Sequence, residues 1–158
     1  MSFEIKQTKP SDIPHILAMI REFAELENLA NFCEVTAENL HEVLFGENSF
    51  VESLIVFVDE MPIGYAIFFP YFASFRGQRG FYLEDIYIKS EFRGLGLGER
   101  IIREIAKIGK YRGFVRIDFQ VLKYNQSARN FYKKLGAIED ESETHFKFTD
   151  EAFERLKV

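Results

Sequence analysis

The chain has no tryptophan, one cysteine, four prolines and three histidines. A lone Cys33 excludes an internal disulfide and any cluster of thiolate metal ligands, and it fits a reducing compartment such as the cytoplasm. His15, His41 and His145 share no metal-ligand spacing, so no metal is expected. No block of Lys and Arg occurs and the net charge is −5, which argues against a nucleic-acid partner and is compatible with a cationic substrate. Long hydrophobic runs are missing as well. The most apolar stretch, 62–75, is too short to cross a bilayer and contains Pro70, and the N-terminus lacks the apolar segment of a signal peptide, so no membrane role is expected. Without repeats, low-complexity tracts or Gly/Ser linkers, residues 1–158 read as a single domain.

What is present is a soluble-type composition, 47% hydrophobic with 18 phenylalanines and seven tyrosines, enough for an aromatic-rich core. Residues 3–7 alternate as a strand, and Ser11 or Asp12 can cap a helix whose buried face is Ile13, Ile16, Leu17, Ile20, Phe23 and Ala24. Thr36 opens a second helix that Gly46 ends. Strands follow at 54–58 and 63–72, then a basic, glycine-bearing loop at 75–80 and a strand at 80–89. Leu97, Ile101, Ile102, Ile105 and Ile108 give one face of the next helix, 115–121 a strand, and Asn125 caps a helix that runs to Leu135 and Gly136. A strand at 145–148 and a short helix close the chain. The order predicts a mixed α/β (α+β) fold with an antiparallel middle, and the helical crossover makes the Tyr82 and Ile117 strands parallel if they pair.

Gly94, Gly96 and Gly98 fall at the strand-to-helix turn and in the first helical turn, where each glycine costs about 1 kcal/mol relative to alanine. Close approach of a ligand to the backbone accounts for them, and a helix start with its unpaired N–H groups is an anion site. No Lys-Ser or Lys-Thr follows, which excludes a P-loop, and G-x-G-x-G is not the dinucleotide fingerprint G-x-G-x-x-G. The run from Arg93 to Gly98 fits R-x-x-G-x-G, and with the Leu83-Glu84-Asp85 strand before it and N-Q-S-A-R-N-F-Y (Asn125 to Tyr132) after it, the chain resembles the GNAT family of N-acetyltransferases. The likeness in element order covers nearly the whole chain. It implies a sheet with helices on both faces and a splayed parallel strand pair that admits acetyl-CoA as co-substrate. It further implies cofactor contacts at Ile86, Ile88, Arg93, Gly94, Leu95, Gly96, Leu97, Gly98, Asn125 and Tyr132, and a homodimer.

Acetyl transfer to an amine needs a base, because an alkyl ammonium has a pKa near ~10.4, and a donor for the departing thiolate. Glu84 is the candidate base. Alternation sends Glu84 and Asp85 to opposite faces unless a bulge re-aims one, and the resemblance favours a bulge. The plain alternative is a solvated strand carboxylate. Tyr132 is the candidate donor by its place in the family pattern, although Ala128, Phe131, Tyr132 and Leu135 also make the stripe of an ordinary buried helix face. Arg100 and Arg103 either touch phosphate or coat the helix.

Within the family, Y-L-E-D-I-Y-I (Tyr82 to Ile88), R-G-L-G-L-G, A-R-N-F-Y-K-K-L-G-A (Ala128 to Ala137), F-A-E-L-E (Phe23 to Glu27) and F-G-E-N-S-F (Phe45 to Phe50) are most similar to the spermidine/spermine, diamine and thialysine acetyltransferase branch. That likeness adds Glu27, Ser74, Arg76, Glu84 and Asp85 as acceptor-binding residues. Where polyamine-acetylating members carry an acid and a tryptophan, this chain has Ser74 and Arg76. A lost carboxylate and a gained cation favour a small diamine or amino-acid-like acceptor, whose carboxylate Arg76 would meet. Two other functions stay open on the sequence: a non-catalytic acyl-CoA-binding module, and acetylation of protein N-termini or lysines.

Overall fold

The computed structural model describes residues 1–157, and the chain divides into two compact units, 1–120 and 121 onward. The first unit holds β1 (Phe3–Gln7), α1 (Ile13–Leu26), α2 (Ala37–Phe45), β2 (Glu52–Val58), β3 (Met61–Ala73), β4 (Gln78–Ile88), α3 (Leu97–Tyr111) and β5 (Arg116–Phe119). Its five strands form one sheet in the order β1-β2-β3-β4-β5, antiparallel except for the β4–β5 pair.

The alternation of β2 explains the layering. Leu54, Val56 and Val58 join a buried cluster with Ile101 and Ile105 of α3, while Ile55 on the other face joins Ile16 and Met19 of α1 and Leu40 of α2. A strand covered on both faces reads as a continuous apolar run, which S-L-I-V-F-V does. Thr36 caps α2 reciprocally with Asn39: Thr36 Oγ1 accepts from the Asn39 N–H and Asn39 Oδ1 from the Thr36 N–H, each at 3.1 Å. Asp12 stands at the start of α1, but its carboxylate turns back to accept from the Lys9 N–H at 2.8 Å.

Two departures from strict pairing shape the functional end of the sheet. Ile67 lies opposite Asp85 and Phe68 opposite Leu83, so Glu84 is an extra residue in β4. Before it, Phe81 and Leu83 face α3; after it, Ile86 and Ile88 take that face and Tyr87 turns to the α1 side. The parallel ladder with β5 is short, four pairs from Gly80–Arg116 to Leu83–Phe119. The predicted strand 115–121 thus pairs only over 116–119, and β4 runs on beyond it with no ladder partner on that edge among the described residues.

The second unit contains α4 (Gln126–Lys134), capped by Asn125 Oδ1 accepting from the Ala128 N–H at 3.1 Å, and α5 (Asp150–Leu156). Arg129 and Lys133 of α4 both reach Glu139, each at 2.7 Å. The strand expected at 145–148 does not form. Phe146 and Phe148 are 86% and 67% exposed, and the alternation His-Phe-Lys-Phe finds no ladder partner among the described residues. Alternation marks a strand only where an edge receives it.

Gly64 lies opposite Ile88 at the end of β4. A Cβ there would stand 2.5 Å from Ile88 Cδ1 and 2.7 Å from the Tyr87 carbonyl oxygen. Gly64→Ala is expected to destabilise the protein by about 1–3 kcal/mol, read as a lower urea midpoint with an unchanged slope.

Candidate active site

The turn from β4 into α3 is built on two left-handed residues. Gly94 and Gly96 both have φ +77°, a conformation that side chains with a Cβ adopt only under strain. The backbone itself therefore demands glycine at these two positions, a local reason that adds to the close approach expected from the sequence. A Cβ at either would meet nothing within 4 Å, so the turn also faces open space. Gly96 is the N-cap of α3 and no side chain caps the helix. The first-turn N–H groups then have no intrahelical partner, and the positive end of the helix dipole adds to them. This turn suits a pyrophosphate.

The residues around it divide by what they can offer. Leu97 is buried in the core, so only its backbone is available, whereas Leu95 is exposed. Gly98 lies in the first turn of α3. Arg93 donates from Nε to the Ile88 carbonyl at 2.8 Å and sits over the Tyr87 ring at 5.6 Å, tying the turn to the end of β4. Arg103 pairs along the helix with Glu99 at 2.7 Å, the coating role. Ile86 and Ile88 point their side chains into the α3-side core. Their peptide groups have the other direction. The Lys89 N–H bonds across to Ile63 of β3, so by strand alternation Ile86 presents its N–H and C=O, and Ile88 its N–H, at the edge of β4 beyond the β5 ladder, the Ile88 carbonyl being taken by Arg93.

On the opposite face, the bulge gathers acids. Glu84 is exposed, and its charge acts on both Tyr82 and Asp85. Asp85 accepts from the Tyr65 hydroxyl at 3.0 Å, and Tyr65 is fully buried. Burial pushes the Asp85 carboxyl up to about 6, against the Tyr65 hydrogen bond, with the nearby Glu84 charge adding to the rise. Burial first, and then the Asp85 charge, raise the Tyr65 phenol far above its ordinary value. Tyr87, stacked on Phe23 of α1 at 5.2 Å, completes the wall.

The remaining predicted residues lie on other elements or in the other unit. Glu27 follows the C-terminus of α1, where the helix dipole disfavours a carboxylate, so helix stability does not explain it. Ser74 and Arg76 are exposed at the tip of the β3–β4 hairpin. The strand from that tip to Glu84 covers about 20 Å, more than one small amine spans. Asn125 and Tyr132 belong to the second unit, where Tyr132 packs edge-on against Phe131 at 5.1 Å and burial pushes its phenol up to about 12. Sequence reasoning passed over Tyr65, Tyr71, Tyr82, Arg116 and Asp118. The i, i+2 spacing of the two charges in R-I-D-F was the available signal for the last two.

Residues 17–137 match the acetyltransferase (GNAT) family. The chain belongs to that family. This GNAT protein is 36% identical to a thialysine N-epsilon-acetyltransferase of Sus scrofa, with 96% of this chain and 95% of that protein covered. It is 34% identical to the mouse (Mus musculus) thialysine N-epsilon-acetyltransferase, covering 98% and 97%. Among solved structures it is similar to an integron cassette protein from the mobile metagenome of V. cholerae, with a TM-score of 0.83, 22% identity and coverage of 99% and 98%, a likeness of fold. No helix among the described residues is long and apolar enough to cross a membrane.

The Asp85 environment has a measurable sign. Below about pH 4 the carboxyl is protonated in folded and unfolded chains alike. Between there and about 6 the folded chain keeps a proton that the unfolded chain releases, so stability falls as pH rises through that window. Asp85→Asn removes this term. Relative to the parent enzyme, the variant should gain about 2–3 kcal/mol between pH 4 and pH 7.5 in denaturant titrations; a pH-independent difference would dissociate Asp85 from the titration.

Proposed function

We propose that this enzyme transfers the acetyl group of acetyl-CoA to the side-chain amine of a small, lysine-like amino acid, by direct attack in a ternary complex. The end-to-end likeness to thialysine N-epsilon-acetyltransferases carries the reading. The family match, which runs across both units, supports treating 1–158 as one catalytic domain. Family resemblance supports a homodimer, and the lone cysteine a cytoplasmic setting.

When bound, acetyl-CoA supplies the thioester carbonyl that the amine attacks. The chain's own part is to bind, orient and move protons. Gly94, Leu95, Gly96, Leu97 and Gly98 would hold the pyrophosphate by backbone N–H groups, with Arg93 bracing the turn. Ile86 and Ile88 would receive the pantetheine amides at the open edge, as an added strand does. Glu84, exposed at the bulge, takes the ammonium proton directly or through a water, and Asp85 with Glu27 supplies negative charge that draws the acceptor in.

Asn125 and Tyr132 take their roles from the family pattern, cofactor contact and help to the leaving thiolate. Full proton transfer from a phenol held at about 12 to a thiolate near ~8.5 is uphill by about 5 kcal/mol. Tyr132 therefore serves by a hydrogen bond that strengthens as charge develops on sulfur.

The test is release of CoA thiol from acetyl-CoA across lysine, thialysine, short diamines, spermidine and a lysine peptide. The expected result is turnover concentrated on thialysine or lysine. Preference for the peptide, or acetyl-CoA binding without turnover on any amine, would shift the reading to a protein acetyltransferase or a binding module. In the same assay Tyr132→Phe should lower kcat by roughly 10²-fold with acetyl-CoA affinity nearly intact, and an unchanged kcat removes Tyr132 from the reaction.

A further inference from the structure

A charged pair on β5 stands on the same sheet face as Glu84, with an aromatic floor between them. Arg116 and Asp118 occupy alternate positions on this edge strand and so share a face. Arg116 grips the carboxylate of Asp118 from Nε and a terminal nitrogen at 2.8 and 2.9 Å, and both side chains remain about one-third exposed, at 32% and 38%. The second terminal nitrogen approaches Gln78 Oε1 at 3.4 Å. In register, Arg116 lies beside Gly80 and Asp118 beside Tyr82, two residues before the Glu84 bulge.

The floor consists of tyrosines and a phenylalanine. Tyr82 stacks on Phe69 at 5.3 Å and meets Tyr71 edge-on at 6.5 Å, and the Arg116 guanidinium stands 5.9 Å from the Tyr71 ring. Burial, and then the neighbouring Asp118 carboxylate, push the Tyr71 phenol up to about 12. A partly exposed ion pair adds only about 0–1 kcal/mol to stability. Fold stability therefore gives little reason for a matched anion and cation over a polarisable aromatic surface.

We propose that Arg116 and Asp118 form the head-group site for the acceptor, with Arg116 reading its α-carboxylate, Asp118 its α-ammonium, and Phe69, Tyr71 and Tyr82 lying along its side chain. This rests on the lysine-like reading of the acceptor. Two strand residues separate the Asp118 level from Glu84, about 7 Å. The five bonds from Cα to the terminal nitrogen of lysine span about 6 Å when extended. The step from β5 to β4 adds about 5 Å across the sheet, for a separation of about 8 Å, which the lysine side chain and the reach of the Asp118 and Glu84 carboxylates together cover. Binding exchanges the internal Arg116–Asp118 pair for two pairs with the acceptor: the guanidinium fork now on Asp118 turns to the acceptor's carboxylate, and the freed Asp118 carboxylate takes its ammonium. Ser74 and Arg76, at the distant hairpin tip, are not needed for it.

The experiment compares kcat/KM for lysine, 6-aminohexanoate (no α-ammonium) and 1,5-diaminopentane (no carboxylate) in the parent enzyme, Arg116→Met and Asp118→Asn. Acetyl-CoA affinity and the urea midpoint serve as checks of fold. The parent should prefer lysine. Arg116→Met should lower kcat/KM for lysine and 6-aminohexanoate by about 10²-fold, mainly through KM, while 1,5-diaminopentane is used equally well or better. Asp118→Asn should penalise lysine and 1,5-diaminopentane and spare 6-aminohexanoate. Losses shared evenly by all three acceptors, or unchanged ratios, overturn the head-group site and leave lysine-like acetylation standing. A parent enzyme that turns over none of them, and not thialysine either, overturns both; one active on thialysine alone overturns the head-group site only if Arg116→Met and Asp118→Asn leave its kcat/KM unchanged.

Discussion

One extra residue in β4 sets the chemistry of this protein. With regular alternation, Asp85 and Tyr87 would face α3 together with Phe81 and Leu83, which would put a carboxylate into the main apolar cluster. Insertion of Glu84 flips the rest of the strand. Ile86 and Ile88 complete the α3-side core, Asp85 turns to a phenol able to satisfy it, and Glu84 stays at the surface. The fold keeps its apolar layer intact and delivers two acids to the other face in the same step. Everything assigned to the acceptor is measured from that point.

The glycine turn and the bulge lie at opposite ends of one short segment, residues 84–96. Between them β4 ends, Arg93 clamps the Ile88 carbonyl, and two left-handed glycines lead the chain into α3. Ile101 and Ile105 bury α3 against the sheet, so the glycine turn is mounted on a deeply buried helix face. A site on such a mount is rigid by construction. The cost of two glycines at the helix start is absorbed by that packing.

Much of this was legible in the residues. The glycine run, its strand and its helix could be placed because period-2 and period-3.6 patterns meet abruptly at Arg93. Glu84 stood out as an acid in an apolar strand, but whether a bulge re-aimed it or Asp85 was open from alternation alone, since register depends on β3 across the sheet. Tyr65 was invisible for the same reason: its partner lies 20 residues on, joined only by pairing. The tail at 145–148 shows the converse, a strand-like pattern with no edge to receive it. Ser74 and Arg76 were placed by aligned position, and the structure adds that they stand at the tip of the β3–β4 hairpin.

Beyond Leu83 the outer edge of β4 has no ladder partner among the described residues. Exposed strand edges invite pairing with other chains. A ligand that lies along this one covers it and, by binding only folded protein, stabilises it by about 2.7 kcal/mol at a hundred times its dissociation constant. If acetyl-CoA lies along this edge as proposed, the co-substrate would shield the strand as well as supply the acetyl group.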